Sequence, residues 1–350
     1  MSDLVPIAPG SPVRFDAELL ETARRAMSAN SVRALQSDMR VFGTWCRARQ
    51  CSGLPASPAD IARFIRDKAA EGKKAATLAR YVSSIARAHT LADLADPTRA
   101  ELVRLELKAQ RRELGVRQKQ ARGLRYRGEV ADPRDVSGFV GVSVEAMLAA
   151  APQGIKATRD KALLSLAFDT GLRRSEIVAA IWDHVESGTG GGGRLFVPRS
   201  KSDQEGAGTY AYLSPRTMQF LGEWQAASAK EGGAVFRRLH RAQRKTGEDV
   251  WSVGARITGQ SVTLIYRDML DTARAAGHFA MLSEAQYESW RRSLSAHSTR
   301  VGLTQDLFAS GQDLAGIMHA LRWKSPTQPA RYAQALTAEA NAAAKVVGGL

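Results

Sequence analysis

Along the first third of the chain, apolar residues return every three or four positions. Val32, Leu35, Met39, Phe42, Trp45 and Cys46 draw one stripe along residues 31–49, the spacing of a helix with a single core-facing side. The same spacing predicts helices over 15–28, 58–71, 75–91 and 97–113. Ser31 and Ser57, with Pro55 just upstream, mark starts, while Gly72 and Asp96-Pro97 mark ends. No strand pattern precedes about residue 190. Residues 15–113 therefore read as an all-helical domain behind a loose tail, 1–14.

The periodicity fades over residues 114–142, which read as a basic linker. From Ser143 the pattern becomes mixed. Helices are predicted at 143–151, 157–169 and 174–181, then strands at 194–200 and 209–213 that read as a hairpin. Gly188 and Gly190 to Gly193 form a turn, and not a phosphate loop, because no Gly-Lys-Ser/Thr follows. Ser214-Pro215 opens a helix to about residue 229, and Gly277 ends another over 260–276. Further helices are expected at 283–292, 298–309, 312–320 and 337–346. No internal repeat is evident.

Charge adds a partner to this outline. The 350 residues carry 50 Lys+Arg against 35 Asp+Glu, a formal charge of +15. Residues 1–127 hold +11 of it and residues 128–350 only +4. A basic N-terminal third points to a polyanion, most simply nucleic acid. Arginine supplies 38 of the 50 basic residues, and its planar fork suits phosphate, although a coding bias in an Ala-rich protein would give the same count. Between Arg104 and Arg127 lie nine basic residues and two acids, either a solvated segment or a strap along phosphates. With 44% hydrophobic residues the chain can build two packed cores, which excludes a disordered, collagen-like or coiled-coil protein. Cys46 and Cys51 lack partners at zinc spacing and do not form a disulfide framework, as expected in a reducing cytosol. No signal peptide is read at the N-terminus, and no apolar run is long enough to cross a bilayer, so a cytoplasmic location is expected.

Three clusters carry chemistry. Thr170-Gly-Leu-Arg-Arg-Ser-Glu-Ile177 lies at a helix junction, where Gly171 relieves the turn, Arg173 opens the next helix and Glu176 is one turn away. His297-Ser-Thr-Arg300 sets an imidazole and a guanidinium on one helical face, where both can address one anion. Trp323 and Tyr332 follow, an indole donor and a phenol that can act as nucleophile. Each cluster alone is weak. Their order, with a hairpin lysine between the first and second, is specific.

In that order the chain resembles the tyrosine recombinases of the phage-integrase family over nearly its whole length. The resemblance implies a mainly α fold with a small β-sheet in the catalytic domain, arranged as a two-domain, C-shaped DNA clamp. Its parts would be a helical, SAM-like core-binding domain (15–113), a basic linker (114–142) and a catalytic domain with a C-terminal helix (143–350). It implies catalytic roles for Arg173, Lys201, His297, Arg300, Trp323 and Tyr332, with Glu176 supporting the first helix. Lys201 is the only lysine between residues 162 and 229. Trp323 stands where most of the family carries His. Tyr332 would attack a DNA phosphodiester to give a 3′-phosphotyrosine and a free 5′-hydroxyl. Arg173, Arg300 and Trp323 would hold the phosphate oxygens, and His297 would bond the phosphate or help take the tyrosine proton. Lys201 would protonate the leaving oxygen, a role worth about 10²–10⁴-fold. No metal or ATP is expected. Residues 279–293 match no motif of the family.

Candidate DNA contacts are Arg33, Arg40, Arg47, Arg80 and Arg87 in the helical domain, Arg117, Lys119, Arg122 and Arg125 in the linker, and Thr263, Arg267 and Arg274 on the helix 260–276. The expected partners are double-stranded DNA with specific recombination sites and further copies of the chain, assembling as dimers and tetramers. The stretch 337–347 would dock in a neighbouring protomer or pack within its own chain. Two other readings keep the same fold: a type IB topoisomerase or hairpin-forming resolvase with the same chemistry, and a DNA-binding factor without catalysis.

Overall fold

In the computed structural model, which describes residues 13, 15–115, 120–132, 135–198, 208–243 and 249–332, the chain divides into two units, Met1–Lys119 and Gln120–Leu350. The described part of the first unit is helical: α1 (Ala17–Ala26), α2 (Ala29–Arg49), α3 (Pro58–Ala70), α4 (Ala75–Leu91) and α5 (Glu101–Leu114), with a 3-10 turn at Pro97–Arg99. Side-chain oxygens satisfy the free amides that open several of them. Asp16 caps α1, and Ser57 caps α3 with Pro58 in its first turn. α2 begins two residues earlier than Ser31 predicts, because Ser28 is the cap and Ser31 is the residue whose amide it accepts. The stripe on α2 meets Ile61, Phe64 and Ile65 of α3 and Leu78, Val82 and Ile85 of α4. Phe64 is the hub, edge-on to Phe42 at 5.0 Å and to Trp45 at 5.4 Å.

The second unit is built around α7 (Ile155–Thr170), whose Leu163, Leu164 and Leu166 are all fully buried. Every residue from Ala162 to Phe168 is buried, so the helix has to be enclosed by its neighbours. It is packed by α6 (Val144–Ala149), α9 (Pro215–Ser228), α10 (Gly259–Ala275) and α12 (Ser298–Ala309). An antiparallel sheet of β3 (Val185–Ser187), β4 (Gly193–Val197) and β5 (Thr209–Leu213) lies beside it. Gly190 and Gly191 both take positive φ in the β3–β4 turn, a backbone shape that favours glycine. α8 (Arg174–Ala179), α11 (Glu284–Ser293), α13 (Leu314–Ala320) and a helical turn at 327–332 complete the described part.

Three regions depart from the sequence expectations. Residues 120–142 are not a free linker but belong to the second unit. They contain the hairpin β1 (Glu129–Asp132) and β2 (Asp135–Val140), and Leu124 is fully buried. Leu124 and Val142, buried far apart among basic and polar residues, give no periodicity to detect. β3 is too short to show alternation. The hairpin β6 (Arg237–Gln243) and β7 (Asp249–Arg256) was also missed, since arginine and histidine occupy much of β6 and its pairing is carried by backbone groups. The tail up to residue 12, Arg14, Arg117, Lys119, Lys201 and the helix expected at 337–346 lie outside the described residues.

Candidate active site

The site begins where α7 ends. Thr170 closes the helix and Gly171 turns left-handed at φ 53°, where a Cβ would come within 2.5 Å of Leu321 Cδ2. That turn exposes the last carbonyls of α7 and brings Arg173 to the start of α8. One carboxylate then does two jobs. Glu176 accepts the Arg173 amide at 2.9 Å through one oxygen and the Arg173 guanidinium at 2.9 Å through the other. The buried acid thus fixes both the helix start and the arginine it carries.

Helix α12 delivers the next pair from its first turn. Arg300 is fully buried and donates to the carbonyls of Gly171 and Leu321, the latter at 2.7 Å. Its guanidinium lies 4.2 Å from the centroid of the Trp323 ring. Burial lowers its pKa to about 9, helped by the positive charge of Arg173 and Arg322, and it remains a cation at neutral pH. Two buried side-chain nitrogens here, Arg300 Nε and Trp323 Nε1, have no hydrogen-bond partner among the described residues. Both are donors, as an incoming anion requires.

Tyr332 faces this group. Its hydroxyl is 2.7 Å from His297 Nε2, and its ring stands edge-on to both His297 and Trp323 with centroids 5.7 Å away. Burial, then Arg300 and Arg173, lower the His297 pKa to about 4, so the imidazole is neutral at pH 7. With the proton on Nδ1, Nε2 accepts the tyrosine hydrogen. Burial raises the Tyr332 pKa, opposed by the charges of Arg300, Arg173 and Arg331. Gln305, also on α12, donates to the Tyr332 carbonyl at 3.3 Å.

Five of the six residues expected to be catalytic are therefore gathered in one place, with Glu176 behind them, and the sixth, Lys201, is outside the described residues. Arg322 was missed. It is half-buried, donates to Thr170 O at 2.8 Å and has φ 56°. Left-handed backbone costs a non-glycine residue about 1 kcal/mol. An arginine next to Trp323 was the available signal.

The candidate DNA contacts divide sharply. Arg33, Arg40 and Arg47 are exposed along the face of α2 opposite its core, and Arg87 is exposed on α4. Arg80 is exposed but pairs at 2.7 Å with buried Asp38. In the second unit, Arg122 lies 3.7 Å from the centroid of the Trp290 ring and pairs with Glu129. Arg125 corrects the reading as a phosphate contact: it is buried and bound to Asp306. Arg274 does likewise, donating to the carbonyls of Phe279 and Leu282. Arg267 reaches those of Arg292 and Leu294, and the Thr263 hydroxyl accepts the Ala296 amide. These three side chains tie residues 279–296 to α10. α11, in the unassigned stretch, adds Arg291, which grips Asp271 through two nitrogens.

Residues 141–339 match the phage integrase family, and the chain belongs to that family, a tyrosine recombinase by class. Residues 14–92 match its N-terminal SAM-like domain. Among individual proteins, the chain is 26% identical over 322 residues to the integrase/recombinase XerD homolog of Selenomonas ruminantium, covering 88% of this chain and 82% of that one. It is 24% identical over 330 residues to the Cre recombinase of Escherichia phage P1, covering 93% and 89%. The XerH recombinase in a post-cleavage complex with a palindromic difH substrate shares the fold, with TM-score 0.56 at 13% identity over 93% and 84% of the two chains. So does the Tn1549 transposon integrase in complex with circular intermediate DNA, with TM-score 0.53 at 12% identity over 90% and 94%.

Proposed function

We propose that this recombinase cleaves and rejoins double-stranded DNA at specific sites through a covalent link to Tyr332, acting as a tetramer on two sites without metal or ATP. One observation carries the reading: a tyrosine hydroxyl rests on a neutral imidazole beside buried donors that have no partner among the described residues. The Tyr332 oxygen attacks the phosphorus while its proton passes to His297 Nε2. The P–O5′ bond breaks, and the leaving oxygen takes a proton from Lys201, the role the family resemblance assigns to that residue. The five-coordinate intermediate gains negative charge, which Arg173, Arg300 and Trp323 meet with donors already fixed in position. Because the tyrosyl ester keeps the energy of the broken bond, a 5′-hydroxyl from another strand can reverse the step. The DNA-bound states named for XerH and the Tn1549 integrase support duplex DNA as the partner. The exposed arginines of α2 and α4 would hold its backbone.

The test starts from a random-sequence duplex library. DNA that stays on the wild-type protein in SDS is recovered and sequenced, and a nicked duplex of that sequence becomes the substrate. Wild type is expected to form the adduct and Tyr332→Phe to form none while binding with similar affinity. An adduct with the phenylalanine variant overturns the assignment. Exchange between two such sites supports recombination, whereas relaxation of any supercoiled plasmid without exchange favours the topoisomerase reading.

A further inference from the structure

We propose that Arg322 is a positioning residue that supplies the charge by which the site favours the cleavage transition state over bound DNA; this rests on the Tyr332 reading above. Three observations meet here. First, α7 ends in two consecutive carbonyls, and each holds one guanidinium: Gly171 O takes Arg300, and Thr170 O takes Arg322 at 2.8 Å. The carboxyl end of a helix is its negative pole, so the two cations are anchored where the backbone favours them. Second, the backbone of Arg322 is left-handed, with φ 56°. Glycine would make this turn without cost, yet the position carries a long cation whose head returns to the site. Third, the charges do not cancel. Arg173, Arg300 and Arg322 face one carboxylate, Glu176, and Glu176 is the acid that draws on both Arg173 and Arg322.

With His297 neutral, Arg173, Arg300 and Arg322 outnumber Glu176 by two charges among the described residues, before the cation that Lys201 adds in the proposed reaction. Attack puts a second negative charge on the phosphoryl oxygens while the tyrosine proton moves to His297, so the attraction between those oxygens and the fixed guanidinium charges grows as the reaction proceeds. Without Arg322, Glu176 would offset Arg173 more completely, and the charge that grows on the phosphoryl oxygens would meet a weaker positive field. Arg322 thus acts through Arg173 and Arg300.

The test compares the full-length wild type with Arg322→Gly, Arg322→Gln and Arg322→Lys on the nicked duplex recovered above. The scissile linkage is made either as a phosphodiester or as a methylphosphonate, which lacks one negative charge. Arg322→Gly is expected to form adduct about 30- to 100-fold more slowly on the phosphodiester. On the methylphosphonate the deficit is expected to be under about threefold. Gel-shift affinity should stay within about twofold and the unfolding temperature should not fall, since glycine suits the turn. Arg322→Gln should behave like glycine, and Arg322→Lys should recover part of the rate. Equal losses on both linkages, or full activity of the glutamine variant, overturn the proposal. A wild type that forms no adduct at all overturns the Tyr332 reading instead.

Discussion

Arginine is used in opposite ways by the two units. On α2 and α4 of the N-terminal unit it stands on exposed faces, often joined only to a near neighbour, as Arg33 is to Asn30 and Arg47 to Thr44, although Arg49 and Arg80 reach acids on other helices. In the second unit Arg300 is fully out of water, Arg125 is buried against Asp306, and Arg322 is tied to a helix end. An exposed guanidinium loses little on meeting a phosphate, and it exchanges counterions for it. A buried one has already lost its water. It can therefore act strongly on a charge that appears nearby, provided its geometry is held. In the proposed reading, net charge points to the partner through the first group, while the reaction depends on a few members of the second.

This contrast can be broken by substitution. The largest effect is expected at Arg300→Ala, which should slow adduct formation by about 10³-fold and leave DNA affinity within about tenfold. It should also lower stability by about 1–3 kcal/mol, because the Gly171 and Leu321 carbonyls lose their donor. A matching loss of DNA binding in gel shifts would mean that the residue only holds the duplex. Next comes Arg80→Ala, the one exposed arginine of this group that answers a buried acid. Leaving Asp38 with Ser84 alone is expected to cost about 1–3 kcal/mol in chemical denaturation. Arg40→Ala beside it should change stability by less than about 0.5 kcal/mol and reduce the salt dependence of DNA binding by about one counterion.

A smaller effect tests the neutral imidazole. The pKa of His297 is lowered in the folded chain, so between about 4 and its ordinary value the unfolded chain binds more protons. Stability due to His297 is then present above the ordinary histidine range and is lost as pH falls toward 4. We expect a decline of about 1–2 kcal/mol between pH 7 and pH 5 that His297→Asn lacks. An identical pH profile in the variant would place the titration elsewhere.

Much of this was legible in the chain. Long apolar stripes located the helices to within a few residues, because a 3.6-residue period over ten or more positions is hard to mistake. The site residues were legible through their order, and the structure gathers all of them that it describes. Other parts were hidden for physical reasons. Residues 120–142 pack through a few scattered apolar side chains, Leu124, Tyr126 and Val142 among them, and through backbone hydrogen bonds, such as Leu124 N to Ser298 O at 2.9 Å, which leave little trace in a hydrophobic pattern. Arg125, Arg267 and Arg274 looked like surface cations because sequence shows charge without showing which carbonyls or acids will meet it. Arg322 was hidden in a further way, since its role depends on a backbone angle.

The bond between Leu124 and Ser298 is one of several that bind early chain to late chain. Arg300 reaches back 129 residues to Gly171, and Arg125 reaches forward 181 residues to Asp306. α12 is the meeting point, and Gly302 lets Leu124 approach where a Cβ would lie 1.9 Å from its carbonyl oxygen. Contacts so distant in sequence form late, after long loops have closed. On the ribosome, then, the arginine-studded helices of the first unit are complete long before there is a nucleophile. In the proposed reading, a chain still being made would grip DNA before it could cut it.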